Sequence, residues 1–500
     1  MAAAAHMDVV YRFMDATTKL PLAQRLLLFV LPLLLLLHVA SRSRRKQAKP
    51  LPPSPPGLPV VGHLLQVSAR PHVSLRDLAA RHGGGGGGLM LLRLGTVPSL
   101  VVSSPRAARA VLRTHDHVFA SRPPSRLVDD LVYGSSSVGF APYGEHWRLA
   151  RMLVTAHLLT AKKVLSYHAA RQEEVRLVVA KLRVAVAAGS GVDIGGAVNA
   201  FANDIICRAV CGKFFREEGR NRLFRELNHM TTVLVAGFNL EDYFPGLASL
   251  LGIFTRFTSN KEIISDHERR RIITEHGRGG ASGGDDDDEQ EESDFIDVML
   301  SVQQEYGITR DHIKAILMDM FEAGTGTSSL VLEFAMVELM RNPRLMAKLQ
   351  AEVRKNTPKG QEMVKEENLS SMVYLSAVVK ETLRDPKSWE KAEEFMPERF
   401  MDGGSSADID FKGKDFQFTP FGSGRRMCPG SNFGLATINI MLANLMYCFD
   451  WMLPEGMEED IDMTEVFGLT VHRKEKLILV PKPYDTFAHP VQPEAGSMKA

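Results

Sequence analysis

One cysteine of this chain lies in a loop whose composition could make its sulfur reactive. Cys428 is the eighth residue of Phe-Gly-Ser-Gly-Arg-Arg-Met-Cys-Pro-Gly, which covers residues 421–430. The two arginines just upstream favour a thiolate, and Gly424 and Gly430 allow backbone shapes and close approaches that a side chain forbids. A helical pattern follows over 435–445, so N–H groups near its start can point at the sulfur. The pattern predicts an anionic sulfur in a tight loop, able to bind a metal.

The full spacing of this loop, Phe-x-x-Gly-x-Arg-x-Cys-x-Gly, favours a haem-iron ligand over a surface loop that carries a chance cysteine. The string resembles the haem-binding loop of the cytochrome P450 haem-thiolate monooxygenases, and Pro429 after the cysteine resembles their plant microsomal A-type branch. The matching residues are Phe421, Gly424, Arg426, Cys428 and Gly430. The resemblance implies haem b (iron protoporphyrin IX) as cofactor, with Cys428 as the axial ligand of the iron.

The strongest helical pattern runs from about Thr309 to Arg341 and is followed by Pro343. It is apolar on most faces, which predicts a buried central helix. Its middle, residues 323–328, reads Ala-Gly-Thr-Gly-Thr-Ser, and the two glycines and three hydroxyls weaken the helical hydrogen-bond ladder. The segment is therefore either a helix contact made with small residues or a kink that opens a groove over the cofactor.

The same segment resembles the oxygen-activation motif of the P450 family, Ala/Gly-Gly-x-Asp/Glu-Thr-Thr/Ser. The resemblance makes Thr327 the hydroxyl that handles oxygen and protons. The acidic position of the motif is Gly326 in this chain. Because the acid of the family helps to deliver protons, water or another group must do so here.

Trp147 and Arg151 lie one helical turn apart, and a planar guanidinium suits a carboxylate. They resemble the helix of the family that clamps a haem propionate; the alternative is a surface helix with its indole packed inward. The resemblance adds Arg426 as a further contact to haem.

A second set of charges is predicted to be structural. Glu381 and Arg384 lie three residues apart on one helix face, and a buried pair of this kind needs a third partner, which Arg399 offers. The three residues resemble the charge triad behind the haem loop of the family, whose role is architectural.

The chain runs abruptly from Arg384 into Asp385-Pro-Lys-Ser-Trp389. In the family these two motifs are separated by several dozen residues, which carry strands, part of the substrate pocket and a basic contact to haem. An internal deletion between Arg384 and Asp385 explains the join, and a skipped exon, an alternative splice or a gene-model error would each produce it. Because strands removed from a small sheet leave edges unpaired, we predict a less stable chain whose haem pocket is open on one side.

Residues 1–46 are predicted to be a membrane anchor. Leu26 to Ala40 is almost wholly apolar and basic residues follow over 42–49, which predicts an uncleaved helix with the rest of the chain cytosolic; a cleaved signal peptide is the alternative. The proline-rich residues 47–62 are either a stiff spacer or a disordered linker. The resemblance to microsomal P450s favours the spacer and implies a single-pass protein of the endoplasmic reticulum membrane.

The rest of the chain is predicted to be one mainly α-helical domain with a small β portion over 63–484, followed by a tail over 485–500. Residues 89–103 read as two short strands, and the acidic, glycine-rich residues 277–292 are predicted to be disordered. A net charge of +1 with 7% aromatic residues argues against a nucleic-acid partner. Four cysteines are too few for a disulfide framework in 500 residues, and Cys207 and Cys211 are predicted to pack in the core rather than to bind a metal.

Together these features predict a haem-dependent monooxygenase that inserts one oxygen atom from O2 into a small lipophilic substrate, with specialised metabolism as its setting. The resemblance implies that electrons come from NADPH through NADPH–cytochrome P450 reductase. One alternative is a truncated, poorly active or inactive member of the same family. The other is a membrane-anchored scaffold that binds no haem.

Overall fold

A computed structural model describes residues 51–83, 87–125, 127–129, 133, 136–212, 225, 231, 232, 235–237, 239–250, 294–384, 389, 391, 394–456 and 461–484. These residues fold into two compact units. The first unit holds the described residues up to Ala107 together with Leu240–Leu250, and the second holds the others.

The first unit is built on a two-stranded antiparallel sheet. Strands β1 (Leu89–Leu94) and β2 (Val97–Val102) pair with Leu89 opposite Val102, which confirms the two strands predicted over 89–103. Helix α1 (Pro71–His82) packs on one face of the sheet through a small buried cluster. That cluster consists of Leu78, Ala79, Met90 and Leu92. Shorter helical segments of this unit are Leu64–Gln66, Leu240–Tyr243 and Pro245–Leu250.

The described part of the proline-rich segment is ordered against this sheet. Residues 51–57 form neither helix nor strand. The carbonyl of Pro53 accepts a hydrogen bond from the backbone N–H of Leu91 at 2.8 Å, and the His63 Nε2 atom lies 2.9 Å from the carbonyl oxygen of Pro55. The segment is thus tied to β1 by its backbone carbonyls, which proline retains although it lacks an N–H.

The second unit is mostly helical. Its main helices are α2 (Glu145–Leu153), α3 (Ala161–Ser166), α4 (His168–Ala187), α5 (Ile194–Cys211), α6 (Phe295–Ser301), α7 (Arg310–Arg341), α8 (Pro343–Asn356), α9 (Val373–Thr382) and α10 (Ser431–Cys448). Short helical segments cover Ala110–Thr114, Asp116–Phe119, Val154–Leu158, Glu366–Ser371, Pro397–Phe400 and Gly424–Arg426, and Pro105–Arg109 spans the boundary between the units.

Short strands complete the second unit. Strands β3 (Val192–Asp193), β4 (Phe449–Met452) and β7 (Ile478–Pro483) form an antiparallel sheet in the order β3–β7–β4. Strands β5 (Glu465–Val466) and β6 (His472–Arg473) form a separate antiparallel pair. The described residues therefore confirm a mainly α-helical fold with a small β portion.

Helix α7 is the central helix of the second unit, as its apolar pattern predicted. Thr309 caps its start: the Thr309 hydroxyl accepts a hydrogen bond from the His312 N–H at 3.2 Å, and the His312 Nδ1 atom accepts one from the Thr309 N–H at 3.3 Å. Pro343 then begins α8, which confirms both predicted ends. The helix packs chiefly against α5 and α10. Cys207 and Cys211 are both buried in α5, as predicted for core cysteines.

Several predictions concern residues outside the described part of the chain: the anchor over 1–46, the acidic segment over 277–292 and the tail over 485–500. Among the residues that the structure does describe, no helix combines the length and the hydrophobicity that a membrane span requires.

Candidate functional site

The cysteine loop is closed by its own backbone before α10 begins. The Cys428 N–H donates a hydrogen bond to the carbonyl of Phe421 at 2.8 Å, and the Ser423 hydroxyl donates one to the carbonyl of Gly413 at 2.6 Å. The backbone N–H of Gly430, immediately before α10, donates to the Cys428 sulfur. The predicted N–H donor near the start of the helix is therefore Gly430.

Burial raises the pKa of the Cys428 thiol, and the neighbours that favour its thiolate are not the two upstream arginines on which the prediction rested. The Gly430 N–H and the charge of Arg151 act in the opposite direction but are smaller. The two upstream arginines point elsewhere: Arg425 pairs with an aspartate and Arg426 donates to backbone carbonyls. Because a coordinated metal deprotonates a thiol outright, binding of iron would make this sulfur anionic.

Two glycines of the loop differ in what they tolerate. Gly424 has a φ of +70°, and a Cβ atom there would overlap the carbonyl oxygen of Leu112. Gly430 has a φ of −89°, and a Cβ atom there would lie 3.9 Å from the Cys428 sulfur, an ordinary contact. Only Gly424 is thus required by the fold itself.

Gly424→Ala is expected to lower the free energy of unfolding by at least about 1–3 kcal/mol, because it adds a strained backbone to a steric overlap. Gly430→Ala, the matched control, is expected to cost less than about 1 kcal/mol. Urea unfolding of both variants, with haem content measured in parallel, checks the prediction. Equal destabilisation by the two substitutions would contradict it.

A cavity of about 740 Å³ lies beside this loop. Its wall combines residues of the loop, of α2 and of α7. Those that bear on the predicted site are Trp147, Arg151, Asp319, Ala323, Gly326, Thr327, Arg426 and Pro429. Arg426 and Pro429 flank the partly buried Cys428 in sequence, so the cavity ends at the cysteine loop.

The two glycines in the middle of α7 have different surroundings. A Cβ atom on Gly324 would lie 2.9 Å from the Ile206 Cγ1 atom, so this glycine allows close contact between α7 and α5. A Cβ atom on Gly326 would have no heavy atom within 4 Å, and Gly326 lines the cavity. The Thr327 hydroxyl donates to the Ala323 carbonyl at 2.7 Å. Gly324 therefore supports the interpretation as a helix contact made with small residues, whereas the helix is unbroken at Gly326, which leaves open space at the cavity without a kink.

The predicted haem contacts Trp147, Arg151 and Arg426 lie at the same cavity. The Trp147 indole N–H donates to the Val138 carbonyl at 3.0 Å, and an Arg426 N–H donates to the same oxygen at 3.2 Å. The guanidinium of Arg426 stacks 4.5 Å from the centre of the Trp147 ring. Within the described residues, the guanidinium of Arg151 makes no hydrogen bond or ion pair, so it is available for an anion in the cavity.

Arg122 is a cavity residue that the sequence analysis missed. Its Nε–H donates to the Gly139 carbonyl at 3.1 Å, and its positive charge repels that of Arg426. Burial, with repulsion from Arg122 and Arg151, lowers the pKa of Arg426 to about 10. No local motif marks Arg122, because it belongs to an irregular segment far from the other two in sequence. Three guanidiniums with this mutual repulsion suit a ligand that carries carboxylates.

Glu381, Arg384 and Arg399 are brought together as one buried ion cluster. Glu381 accepts from the Arg384 Nε–H at 2.5 Å through one oxygen and from the Arg399 Nε–H at 2.9 Å through the other. The Met396 N–H also donates to Glu381, at 2.8 Å. Both carboxylate oxygens are therefore satisfied. The cluster adjoins packed aromatic rings, with Trp389 5.3 Å from Phe400 between ring centres.

The comparison with protein families decides what this arrangement is. The sequence profile described as "Cytochrome P450" matches residues 52–384 and 383–480. The chain belongs to the cytochrome P450 family. The family implies a haem-iron cofactor, and the residues of this P450 fit such a group. A partly buried cysteine adjoins the cavity, and guanidinium groups line its wall.

Maize enzymes are among the similar curated proteins. An indole-2-monooxygenase from Zea mays is 47% identical over 95% of this chain and 98% of its own length. An indolin-2-one monooxygenase from the same plant is 47% identical over 89% of this chain and 91% of its own length. A 3-hydroxyindolin-2-one monooxygenase, also from maize, is 45% identical over 90% of this chain and 93% of its own length. These similarities identify a plant P450 monooxygenase.

The comparisons also bear on the join after Arg384. The two stretches of the family match meet at residues 383 and 384. The alignment with the indole-2-monooxygenase extends over 540 positions, more than the 500 residues of this chain, so it places gaps in this chain. On either side of the join, the Arg384 Nη1 and Trp389 Nε1 atoms are buried without a hydrogen-bond partner in the described part of the chain.

Proposed function

We propose that this P450 is a haem b monooxygenase that inserts one oxygen atom from O2 into a small lipophilic substrate. Electrons come from NADPH through NADPH–cytochrome P450 reductase. The observation that carries the proposal is the cavity of about 740 Å³ that has Arg426 and Pro429 at one end and Gly326 and Thr327 in its wall. The loop with the P450-type cysteine and the helix segment with the P450-type threonine thus border the same cavity, which supports the proposal.

Cys428 is the proposed iron ligand, in the loop formed by Phe421, Gly424 and Gly430. Arg151 is the proposed partner of a haem propionate because its guanidinium is not engaged by any described residue. Trp147 and Arg426 form the wall beside it, held by the Val138 carbonyl that both contact. When bound, the haem iron supplies the activation of dioxygen.

The role proposed for Thr327 is to hold and pass on a proton at its Oγ1 atom. In the structure this hydroxyl donates to the Ala323 carbonyl at 2.7 Å, one turn earlier in α7. A hydroxyl is both a donor and an acceptor, so it can accept a hydrogen bond from a water while it keeps this one. The open space at Gly326 leaves room for that water, in the place where the family carries an acid.

We further propose a flat, bicyclic nitrogen heteroaromatic of the indole class as substrate. The support is that three similar maize proteins are named for indole, indolin-2-one and 3-hydroxyindolin-2-one. A single-pass anchor over 1–46 in the endoplasmic reticulum membrane, with a cytosolic catalytic domain, is part of the same proposal. Its support is the apolar stretch from Leu26 to Ala40 and the basic residues after it.

The second candidate is a poorly active or inactive member of the same family. It is favoured by the join after Arg384, where the family match divides and two buried donors have no partner among the described residues. Reconstitution with the reductase separates the two candidates. A catalytic chain consumes NADPH and forms product from indole, whereas the alternative takes up haem without turnover or takes up no haem.

Gly326→Asp is expected to raise the amount of product per NADPH consumed, because it restores an acid to the position where the family has one. We expect a rise of up to about tenfold, less than the 10²–10⁴-fold of a full general acid, because water already serves this step. Folding should change by less than about 0.5 kcal/mol, since Asp and Gly have similar helix propensities and the site is open.

Gly326→Asn is the matched control, with the same shape and no acid. Product and NADPH are quantified for the parent and both variants with indole as the probe. Equal coupling in Asp and Asn variants would show that an acid at this position does not limit the reaction. Absence of turnover in all three would instead support the inactive candidate.

A further inference from the structure

Asp319 is a carboxyl of the central helix that no part of the proposed chemistry uses. It lies one turn before Ala323 on α7 and lines the cavity. Instead of pairing with a cation, its side chain reaches an irregular segment that we call the clamp loop, residues 137–141. The Ser137 hydroxyl donates to Asp319 Oδ1 at 2.9 Å, and the Val138 N–H donates to Oδ2 at 2.5 Å. The Gly139 N–H is a third donor to this carboxyl.

The clamp loop is held from its other side by the predicted haem contacts. The backbone N–H of Val138 donates to Asp319, and the backbone carbonyl of Val138 accepts from Trp147 at 3.0 Å and from Arg426 at 3.2 Å. Gly139 repeats the arrangement, since its carbonyl accepts from Arg122 at 3.1 Å. Two peptide units thus connect α7 with α2 and the cysteine loop. The orientation of Trp147 and Arg426 therefore depends on where Asp319 holds these peptides.

The hydrogen bonds between Asp319 and the clamp loop form what we call the clasp. The charged groups around the clasp make it sensitive to pH. Burial raises the pKa of Asp319 to about 7, against the opposing effect of its three donors. Arg122 and Arg426 face the carbonyl side of the loop. The His146 Nε2 atom lies 3.0 Å from the carbonyl oxygen of Ser136. The centre of the His146 ring lies 4.4 Å from that of the His312 ring. Burial and the charge of His146 both lower the pKa of His312. Within the described residues, no cation pairs directly with Asp319.

We propose that Asp319 is a positioning residue that fixes the clamp loop against α7 and thereby orients Trp147 and Arg426 at the cavity. This inference rests on the proposed function, because the oriented side chains are those proposed to hold haem. The carboxylate form accepts all three donors, whereas a protonated carboxyl has fewer free lone pairs. Burial outweighs these donors, so the closed clasp holds a proton more tightly than a hydrated carboxyl does, and it weakens as the pH rises toward about 7.

The test compares amide hydrogen exchange and haem loss in the full-length parent, Asp319→Asn and the control Asp311→Asn. Asp311 lies on the same helix, is exposed and pairs with Lys314 at 2.8 Å. For Asp319→Asn we expect about 10- to 100-fold faster exchange at Val138 and Gly139, as for loss of a charge-assisted hydrogen bond, and faster transfer of haem to apomyoglobin. In the parent, protection of these amides, corrected for intrinsic exchange, falls as the pH rises toward about 7. In Asp319→Asn this pH dependence disappears.

Exchange in Asp319→Asn that equals that of the parent at both amides would overturn the inference, as would an equal effect of Asp311→Asn. If Asp319→Asn fails to fold, Ser137→Ala removes one donor from the other side and should loosen the same amides. A parent that takes up no haem would refute the proposed function, while the exchange measurement would still decide the clasp. Faster exchange with unchanged haem loss would refute the effect on Trp147 and Arg426.

Discussion

Cys428→Ser is expected to abolish both product formation and the characteristic absorption of the ferrous carbonyl complex. That absorption depends on a thiolate ligand, which pushes electron density onto the iron, and a serine oxygen does not replace it. The loop itself should persist, because the Cys428 N–H bonds to the Phe421 carbonyl through the backbone. The substitution therefore removes the ligand with little change to its setting.

Cys448→Ser is the matched control for this experiment. Like Cys428, Cys448 is a free cysteine, but it is buried at the end of α10 and does not line the cavity, and burial raises its pKa to about 11. Its variant should keep the parent spectrum. A ferrous carbonyl spectrum that survives in Cys428→Ser would mean that another residue ligates the iron, and the oxygenase proposal would fail with it.

Glu381→Leu is expected to lower the free energy of unfolding by about 3–5 kcal/mol, the cost of leaving a buried charge without its partner. The side chains of Arg399 and Arg384 are only 2% and 8% exposed, so water cannot replace the carboxylate. The Met396 N–H loses its acceptor as well. Urea unfolding of the parent and the variant measures this loss.

Glu394→Gln serves as the control because it neutralises a carboxylate in the same region. Glu394 pairs with Lys391 at 3.5 Å, but both side chains are more than half exposed, so the change should cost less than about 1 kcal/mol. Since the Glu381 cluster is predicted to be architectural, the fraction of Glu381→Leu that folds should keep the thiolate spectrum. A normal stability with an altered spectrum would assign Glu381 to the haem site instead.

Features that depend on neighbours in sequence could be predicted well. The cap at Thr309, the stop at Pro343 and the strands over 89–103 follow from residues that contact one another within a turn or a hairpin. The same holds for the cysteine loop, whose N–H donor to Cys428 comes from Gly430, two residues away. The spacing of Glu381 and Arg384 likewise predicted that the two side chains pair, although α9 ends at Thr382, so Arg384 lies beyond the helix and not on its face.

Features that depend on long side chains and burial could not be predicted. Arg425 and Arg426 adjoin Cys428 in sequence, yet Arg151, from another helix, is the cation that acts on its pKa. Gly324 and Gly326 look equivalent in the motif, but only one meets a neighbouring helix. Arg122 and Asp319 carried no local signal at all.

The sequence by itself determined the chemistry available: a cysteine in a glycine-rich loop, a threonine in a central helix, arginines for carboxylates and an abrupt join after Arg384. The tertiary structure alone decided which of these groups are engaged and in which charge state. The Val138 carbonyl and N–H, for example, meet Arg426 and Asp319 from 288 and 181 residues away. A guanidinium or carboxylate bonds to the polar partner that packing brings within about 3 Å, and its pKa depends on the resulting burial. Because packing and burial exist only in the folded chain, the sequence could predict neither the partner nor the charge state of such a group.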